Sequence, residues 1–352
     1  MTNIRYYATN IIGLEDILWR EIQAKLYDVN LIEKKKGRIS FTYAGEPKEL
    51  LGIRSAENIY VYVGVISGLS RSRNSLGEIF RHVSNYNLEI PLRIHKELHG
   101  GKGKKSLSFR VVSSMTGRHN FRRIDAQLAM ESALTKKYGW KLTLDSPTIE
   151  FRLDLEEDTA LIGIRLTDER IKRWKYKVSH VPASLNPSVA YSMVFLSEPN
   201  PLDIFVDPLC GAGTIPIERA YFGRYNMIIA GDIQQNSIES AKNNIESSRK
   251  KINLIQWDVN FLPIRDRSID KVVCNLPFGK QTGSQAENKK LYVSFFKEVK
   301  RVIRPQGRCV LLSGDRNLVD SIISNYRDIR INNRISIDLS GIKAYIYVLN
   351  FL

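Results

Sequence analysis

Cysteine is scarce in this chain. Only three occur in 352 residues, Cys210, Cys274 and Cys309, and no two of them form a C-x-x-C pair. Wide spacing of this kind argues against a zinc knot and against a disulfide framework, which both need paired cysteines. Because the scarcity fits a reducing compartment, we expect a cytoplasmic protein.

A long apolar run is also missing. No stretch approaches the ~20 apolar residues of a membrane span, and residues 1–7 lack the apolar segment of a signal peptide. We therefore expect no membrane association. No part of the sequence requires a protein partner, and we expect a monomer.

Acidic residues are outnumbered by basic ones. The chain has 37 Asp and Glu against 53 Lys and Arg, which gives a formal net charge of +16. Such an excess favours a polyphosphate partner over a neutral metabolite, although a generally basic proteome gives the same balance. The length and the 43% hydrophobic content predict two or three domains with buried cores.

Apolar periodicity divides the chain into four segments. They are an α+β domain at 1–66, a second domain at 67–168, a linker at 169–186 and a third domain at 187–352. In the first two segments we expect strands at 5–9, 37–43, 58–66, 107–112, 148–153 and 159–164, and helices at 14–26, 47–52 and 125–138. Pro182 interrupts regular structure and marks the linker.

The last segment alternates strands with helices, which predicts a parallel sheet covered on both faces. We expect strands at 203–206, 227–231, 254–257, 269–274 and 308–313, and helices at 189–196, 214–222, 235–247 and 290–303. Two final strands, at 331–338 and 343–350, predict an antiparallel hairpin.

The densest basic stretch runs from Lys96 to Arg123. It holds eight Lys or Arg and one acid, and its glycine-rich part at 100–105 predicts an exposed loop that adapts to a phosphate backbone. For any single lysine in it, a solvated surface position without function is the alternative.

A glycine turn follows the first strand of the last segment. It reads Asp207-Pro208-Leu209-Cys210-Gly211-Ala212-Gly213-Thr214. Glycines at this place permit close backbone approach to a ligand, and the helix that follows directs its free amides at that ligand. Pro216 stands where the dinucleotide fingerprint has its third glycine, which argues against a nicotinamide cofactor.

Two carboxylates end the next two strands. Asp232 follows Gly213 by nineteen residues, and a carboxylate there accepts the two ribose hydroxyls of a nucleoside. Asp258 is expected to accept a hydrogen bond from an adenine amine, with a loop or helix-cap role as the alternative. Asp207 itself lies within reach of a ligand ammonium.

The fourth strand ends in Asn275-Leu276-Pro277-Phe278-Gly279. The Asn275 side-chain oxygen and the Leu276 carbonyl supply two hydrogen-bond acceptors for a planar amine, and Phe278 offers a stacking face. Acceptors of this kind make a poorly nucleophilic exocyclic amine reactive without a strong base. A plain turn after a buried strand is the alternative. Cys274 lies inside an apolar strand, where a small buried hydrophobe is expected rather than a nucleophile.

On these motifs the chain resembles the THUMP-domain RNA methyltransferases, specifically the archaeal and bacterial tRNA guanosine N2-methyltransferases. Gly13-Leu14-Glu15 is similar to the start of their ferredoxin-like domain, and His119-Asn120-Phe121-Arg122-Arg123-Ile124-Asp125 to their THUMP signature. The glycine turn and the Asn-Leu-Pro-Phe loop are similar to the family's cofactor and catalytic motifs. The resemblance covers nearly the whole chain.

The resemblance implies an α/β fold: a Rossmann-like methyltransferase domain, with a mostly parallel seven-stranded sheet whose last strand is antiparallel, preceded by ferredoxin-like and THUMP domains. It implies S-adenosylmethionine as the cofactor and tRNA as the partner, with the target guanosine at position 6 of the acceptor stem. The glycine-rich insertion near Lys102 and the phenylalanine at Phe278 depart from the family pattern.

The site residues follow from the motifs and the resemblance. We expect catalysis from Asn275, Leu276, Pro277 and Phe278. We expect cofactor contacts from Asp207, Cys210, Gly211, Gly213, Thr214, Asp232, Ile233, Asp258, Val259 and Asn275. We expect RNA contacts from Lys102, Lys104, Lys105, Arg118, His119, Arg122, Arg123, Lys172 and Arg173.

Other functions share part of these features. An adenine-N6 or ribosomal-RNA guanine-N2 methyltransferase would have both motifs, and an RNA-binding protein with an inactive methyltransferase domain would have the fold. No metal site is expected: His95 and His99 have ligand spacing if helical, but no third ligand is evident and an exposed pair is the simpler interpretation.

Overall fold

The computed structural model describes residues 3–100, 107–171, 173–182, 184–278 and 285–352. The strands are β1 (Ile4–Thr9), β2 (Asn30–Lys35), β3 (Arg38–Tyr43), β4 (Asn58–Ile66), β5 (Ser108–Thr116), β6 (Lys141–Leu142), β7 (Ile149–Glu156), β8 (Thr159–Arg165), β9 (Ile204–Asp207), β10 (Met227–Asp232), β11 (Asn253–Gln256), β12 (Ile269–Asn275), β13 (Ile303–Ser313), β14 (Ile329–Leu339) and β15 (Ile342–Phe351). The helices are α1 (Glu15–Lys25), α2 (Asn74–Asn85), α3 (Glu89–His99), α4 (Arg123–Tyr138), α5 (Pro187–Leu196), α6 (Thr214–Phe222), α7 (Gln235–Ser248), α8 (Gln285–Val302) and α9 (Arg316–Ile323), and a 3-10 helix covers Pro47–Gly52.

The N-terminal half forms one eight-stranded sheet in the order β2-β3-β1-β4-β8-β7-β5-β6. Strands from both predicted N-terminal domains meet where β4 pairs with β8, for example Tyr60 opposite Arg165. Apolar side chains of the sheet and its helices share one core, which includes Phe41, Phe109 and Met130. The boundary between residues 66 and 67 stays a prediction, since the sheet is continuous across it.

Four elements of this half were not expected from the sequence: β2, α2, α3 and the two-residue strand β6. Helix α3 places His95 and His99 one turn apart, and the expectation that this pair is exposed is wrong. His95 is buried, only 2% of the His99 side chain is exposed, and Asp168 approaches both rings as a third potential ligand. The rings face the protein because this side of α3 packs on the sheet.

The C-terminal half forms a seven-stranded sheet in the order β11-β10-β9-β12-β13-β15-β14. Strand β15 is antiparallel to both neighbours, and the pairs β11–β10, β10–β9, β9–β12 and β12–β13 are parallel. The expected mostly parallel sheet with a reversed last strand is therefore confirmed, as is the final hairpin, in which Leu339 pairs with Ile342.

Alternation along β12 explains why both faces are covered. Val272 and Cys274 pack in the cluster that contains Phe295 and Val299 of α8, whereas Val273 packs in the cluster that contains Met193 of α5. Successive side chains of a strand point to opposite faces, so a strand that is apolar at every position needs a helix layer on each side.

The two halves meet through α1 and α5. Leu14 and Ile17 belong to the same apolar cluster as Val189 and Met193. Beside this contact, Arg54 of the N-terminal half donates to Glu218 of α6 at 2.7 and 2.8 Å. None of the helices in the described part of the chain has the length and apolar character needed to cross a bilayer.

Candidate active site

The sheet order reverses between β9 and β12. From β9 the chain continues to β10 on one side, and from β12 to β13 on the other, while β9 and β12 are themselves paired at Val206 and Val272. In an open parallel sheet, a crevice forms outside the carboxyl ends of the strands at such a reversal. Asp207 ends β9 and Asn275 ends β12, so the two predicted motifs border the same crevice.

Both glycines of the turn after β9 have left-handed backbone conformations. Gly211 has φ +50° and Gly213 has φ +78°, and a Cβ at Gly213 would lie 3.3 Å from the Cβ of Ala241 on α7. Gly213 directly precedes Thr214, the first residue of α6. The turn therefore brings backbone amides to the crevice in a shape that side chains would obstruct.

Asp207 is fully buried with an unused acceptor. Its Oδ1 accepts a hydrogen bond from the Leu209 backbone at 3.3 Å, and no donor among the described residues reaches its Oδ2. Burial raises the pKa of the Asp207 carboxyl well above its ordinary value, and the charge of Asp232 adds to this. A buried carboxylate oxygen without a donor is costly, so this atom fits a site that a cationic or hydrogen-bonding ligand completes.

Asp232 connects the turn to the end of β10. One carboxylate oxygen accepts from the Gly211 amide and the other from the Gln234 amide, both at 3.0 Å. Each oxygen retains a second lone pair, which fits a role in binding a pair of hydroxyls. Ile233, the next residue, is 55% exposed, as expected for an apolar side chain available to a flat ring.

Asp258 lies in the loop after β11 rather than at the strand end. Its Oδ1 accepts from the Asn260 backbone at 2.9 Å and from the Asn260 side chain at 2.7 Å, while Val259 is buried. Asp258 therefore has the alternative role considered above, that of stabilising a loop. Only its Oδ1 is used for this, so Oδ2 is left for a ligand. Trp257 secures this loop by donating to the Pro208 carbonyl of the glycine turn at 3.0 Å.

Asn275 presents the second unused acceptor of the crevice. Its Oδ1 is buried and has no hydrogen-bond donor within the described ranges. Leu276 is fully buried and donates its amide to the Leu312 carbonyl of β13 at 3.0 Å. The sheet thus fixes the orientation of the loop, and the Asn275 side-chain oxygen is left to accept a hydrogen bond from a ligand.

A buried hydrogen-bond chain holds the Asn275 loop from behind. Tyr292 of α8 donates to the Pro277 carbonyl at 2.9 Å, its oxygen lies 3.0 Å from Ser313 Oγ, and Ser313 Oγ accepts from the Asp315 amide at 3.1 Å. Burial raises the pKa of Tyr292 to about 12, so the hydroxyl stays a donor. Sequence reasoning missed Tyr292, because it lies on a helix whose apolar face gives no signal for the one hydroxyl that is used.

Phe278 packs closely against Gly314, where a side chain would collide with the ring. A Cβ at Gly314 would lie 2.6 Å from Phe278 Cδ2 and 3.3 Å from Phe278 Cβ. The aromatic ring therefore rests on the backbone that follows β13. Its place beside Asn275 agrees with the predicted stacking role, which stays a prediction.

Asn244 of α7 stabilises the glycine turn by hydrogen bonds, a role that was not predicted from the sequence. Its Oδ1 accepts from the Val178 and Ser179 amides at 2.9 Å, and its Nδ2 donates to the Ala212 carbonyl of the glycine turn at 2.9 Å. The same segment brings Val181 Cγ2 to within 3.8 Å of a Cβ built at Gly211. Part of the predicted linker thus covers the turn.

Neither cysteine near the crevice has the surroundings of a nucleophile. Burial raises the pKa of the Cys210 and Cys274 thiols well above the ordinary value, and the nearby Asp207 adds to this in both cases. A nucleophilic cysteine needs a stabilised thiolate. Cys274 is fully buried within β12, as its apolar context indicated.

Of the predicted RNA-binding residues, Arg118, Arg122 and Arg123 lie exposed where β5 leads into α4. Arg122 and Asp125 form a capping box at the start of α4, and Arg123 donates to Ser113 Oγ at 2.8 Å. His119 packs on Phe121 with ring centroids 5.1 Å apart. Lys102, Lys104, Lys105 and Lys172, together with Gly279 of the Asn275 loop, lie outside the described residues.

The structure places Arg173 elsewhere than predicted. Its guanidinium donates to the backbone carbonyls of Ile53 and Ala56, and its Nε and Nη1 are buried. A phosphate cannot reach it without breaking the junction between the two halves of the chain. We therefore remove Arg173 from the RNA-binding set.

Two arginines that the sequence did not single out join the exposed group. The Asn120 amide donates to the Arg71 carbonyl at 2.8 Å. Hydrogen bonds from the Arg122 side chain and backbone lower the pKa of Asp125, and the charge of Arg73 adds to this. Helices α2 and α4 begin at Asn74 and Arg123, so two helix N-termini lie within this group. We call Arg71, Arg73, Arg118, Arg122 and Arg123 the arginine cluster.

Comparison with known proteins gives consistent matches. Residues 174–342 match the model of UPF0020, described as an RMKL-like methyltransferase domain. The tRNA (guanine(6)-N(2))-methyltransferase THUMP3 of Homo sapiens is 34% identical over 260 residues, which cover 69% of this chain and 51% of that protein. The chain thus spans about half the length of this relative and of its mouse and bovine counterparts.

Two further matches extend over most of the chain. The tRNA (guanine(6)-N2)-methyltransferase of Thermus thermophilus is 28% identical over 310 residues, which cover 87% of this chain and 88% of that protein. The crystal structure of TrmN from Thermus thermophilus superposes with a TM-score of 0.82 at 25% identity and covers 99% of this chain and 100% of that one. The likeness therefore includes the N-terminal half as well as the crevice.

Proposed function

We propose that this chain, whose residues 174–342 match the model of the RMKL-like methyltransferase domain UPF0020, transfers a methyl group from S-adenosylmethionine to the exocyclic N2 amine of a guanosine in tRNA. The predicted resemblance to guanine-N2-methyltransferases and the Rossmann-like fold of the last domain are confirmed by these matches, and the THUMP domain stays a prediction. One observation carries the reaction: two buried, unpartnered acceptors, Asp207 Oδ2 and Asn275 Oδ1, border the crevice between β9 and β12.

The residues on the donor side fit S-adenosylmethionine. Asp207 offers a buried oxygen to its ammonium group, Gly211 and Gly213 leave room for backbone approach, and Asp232 keeps lone pairs for the ribose hydroxyls. Asp258 and Ile233 lie on the loops where the adenine of such a ligand is bound in sheets of this type. When bound, the cofactor supplies an electrophilic methyl group on a sulfonium.

The acceptor side works by hydrogen bonding and alignment. Asn275 Oδ1 accepts a hydrogen bond from the guanine N2 amine and so keeps the lone pair of the amine nitrogen directed away from the ring and toward the methyl group. Leu276 supplies a carbonyl close by, and Phe278 supports the flat base. Holding the reactants in line lowers the barrier by several kcal/mol, on the order of what well-oriented intramolecular reactions gain, so no strong base is required.

The arginine cluster supports tRNA as the substrate. Exposed guanidinium groups beside two helix N-termini bind phosphates through charge and backbone amides together. A base-paired guanosine must leave the stack to reach the crevice, at a cost of about a few kcal/mol that phosphate contacts offset. Because the human and Thermus thermophilus relatives are named for guanine 6, we propose guanosine 6 of the acceptor stem as the target. We further propose a monomer that acts in the cytoplasm.

The test is methyl transfer to unmodified tRNA. The full chain is incubated with labelled S-adenosylmethionine and tRNA transcripts, and the digested RNA is analysed by nucleoside chromatography. We expect N2-methylguanosine. An Asn275→Ala variant should lose about 100-fold in turnover while it keeps cofactor affinity, since removal of one oriented hydrogen-bonding group has that effect. Methylation of adenine N6, or transfer to ribosomal RNA alone, would reject this assignment in favour of the related enzymes.

A further inference from the structure

A cluster of metal-ligating side chains lies outside the crevice, in the N-terminal half. His95 and His99 occupy the last two turns of α3, one helical turn apart, and Asp168 follows β8. Their potential ligand atoms all lie within 4.8 Å of one another, and His99 Nε2 is 3.6 Å from Asp168 Oδ2. From this geometry we propose that His95, His99 and Asp168 bind one divalent transition-metal ion of the zinc class.

His99 is the residue that points to a ligand. Only 2% of its side chain is exposed, and its Nε2 lies 3.6 Å from Asp168 Oδ2. The Leu166 backbone also approaches the ring, but neither ring nitrogen meets the geometry of a hydrogen bond among the described residues. A buried imidazole with two unsatisfied nitrogens requires an explanation, because such groups are almost always paired. A metal ion between the His99 ring and the Asp168 carboxylate would be coordinated by one of these nitrogens.

The donor set and its spacing suit zinc. Two imidazoles at i and i+4 of a helix and one carboxylate form a typical three-residue zinc site with a water in the fourth position. Tetrahedral coordination at about 2.0–2.1 Å places ligand atoms about 3.3 Å apart. The observed separations, 3.6 Å for His99–Asp168 and at most 4.8 Å within the cluster, need a closure of up to about 1.5 Å, which rotation of the three side chains would provide.

Arg170 competes with the metal for the same ligands. Its guanidinium lies 3.1 Å from His95 Nε2, donates to Asp168 Oδ2, and donates to the Thr148 carbonyl at 2.9 Å. These contacts show that the cluster attracts a cation. The Arg170 side chain is 41% exposed, so it can move into solvent when the ion binds. The ion then joins the end of α3 to the segment after β8, which leads toward the methyltransferase domain.

The experiment measures zinc binding by the full chain in competition with a chromophoric chelator. We expect one zinc ion per chain, with a dissociation constant on the order of 1 µM or below. Asp168→Asn, which keeps the shape of the side chain, and His99→Ala should each weaken binding at least about 10-fold. His82→Ala, which alters an exposed histidine on α2, should leave it unchanged. The three cysteines are buried and do not compete for the zinc ion.

Arg170→Gln should change zinc affinity in the opposite direction. It removes the positive charge that contacts His95 and Asp168, so it should tighten zinc binding about 10-fold. A general loss of folding cannot produce tighter binding, so this variant separates a metal site from damage to the structure. Absence of a stoichiometric zinc ion in the parent chain, equal affinity of the His99→Ala variant, or weaker binding by Arg170→Gln would each overturn the proposal.

Discussion

At the scale of single residues, the crevice is defined by atoms that the protein leaves without partners. Asp207 Oδ2 and Asn275 Oδ1 are both buried and both aligned by the strand ends that carry them. Unsatisfied buried acceptors destabilise a fold by about 1–3 kcal/mol each. Their presence at one point of the sheet is therefore explained by a ligand that supplies the donors.

Asp207 should make cofactor binding release a proton. Burial raises the pKa of its carboxyl above the ordinary value, so between those two values the free protein holds the proton. A bound ammonium stabilises the carboxylate and lowers this pKa, so affinity should rise with pH across that interval and stay constant above it. Calorimetry in buffers of different ionisation enthalpy measures the release, up to about one proton per cofactor.

Asp207→Asn should abolish that proton release, and Asp258→Asn, a change on the neighbouring loop, should retain it. Identical proton release by the parent chain and by Asp207→Asn would show that Asp207 does not face the cofactor's ammonium group.

Tyr292 should affect turnover without affecting binding. Tyr292→Phe removes the donor to the Pro277 carbonyl and one of the two hydrogen-bond partners of Ser313 Oγ, which keeps the Asp315 amide. Loss of such a buried hydrogen bond is worth about 1–2 kcal/mol, which corresponds to a roughly 10-fold lower kcat at an unchanged KM for cofactor and tRNA. Steady-state kinetics give both quantities.

Tyr347→Phe is the matched control for Tyr292→Phe. Tyr347 is equally buried and donates to the Asp320 carboxylate at 3.0 Å, away from the Asn275 loop. It should keep the parent kcat. Equal losses in the two variants would mean that the Tyr292 hydroxyl contributes only to stability.

At the scale of elements, two turns at the carboxyl ends of β9 and β12 perform separate tasks. The turn after β9 is shaped by Gly213, and the loop after β12 rests on Gly314. Because the strands are neighbours but the turns are fixed by different helices, changes in one turn should leave the function of the other intact.

A pair of glycine substitutions tests this division. Gly213→Ala introduces a Cβ at φ +78° and 3.3 Å from Ala241 Cβ, so it should weaken S-adenosylmethionine binding at least about 10-fold. Gly314→Ala introduces a Cβ 2.6 Å from Phe278 Cδ2, so it should lower kcat by about 10-fold and leave cofactor affinity unchanged. Cofactor titration and single-turnover rates separate the two effects, and a reversed pattern would contradict the assignment of the turns.

The sequence predicted most elements of the C-terminal half because its buried strands are short apolar runs between helical patterns. Strand β2 was missed, since Asn30–Lys35 is largely exposed and has no apolar alternation. Helix α2 does have a helical pattern, in Leu76, Ile79, Phe80 and Val83, and could have been found. Strand-end residues such as Asp207 and Asn275 were predictable, because sheet topology alone brings them together. Tyr292, Asn244 and Arg71 were not, because nothing in the local sequence pattern distinguishes the polar groups that these residues use.

At the scale of the whole molecule, the N-terminal half is joined to the methyltransferase domain through a buried contact. Leu14 and Ile17 of the first half complete an apolar cluster of the second. Beside them, Glu218 is fully buried and receives hydrogen bonds from Arg54 and Tyr176. An RNA held by the arginine cluster is therefore attached to the same body as the crevice.

Glu218→Gln should weaken this junction. It leaves the Arg54 guanidinium, whose side chain is 12% exposed, without its counter-charge. Breaking a buried ion pair by removal of one partner destabilises a protein by about 3–5 kcal/mol. Glu198→Gln breaks an ion pair with Arg308 in which the carboxylate is 60% exposed, and should change stability by less than about 1 kcal/mol. Urea denaturation compares the two, and similar midpoints would contradict a structural role for the junction.

We propose that the crevice methylates the N2 amine of guanosine 6 in tRNA. The most direct measurement uses a tRNA with a single inosine in place of that guanosine, because inosine lacks only the exocyclic amine. We predict that methyl incorporation falls to background while tRNA affinity is retained, and that inosine at another acceptor-stem guanosine has no effect. Unchanged incorporation into the inosine-6 tRNA would contradict methylation of the guanosine 6 amine.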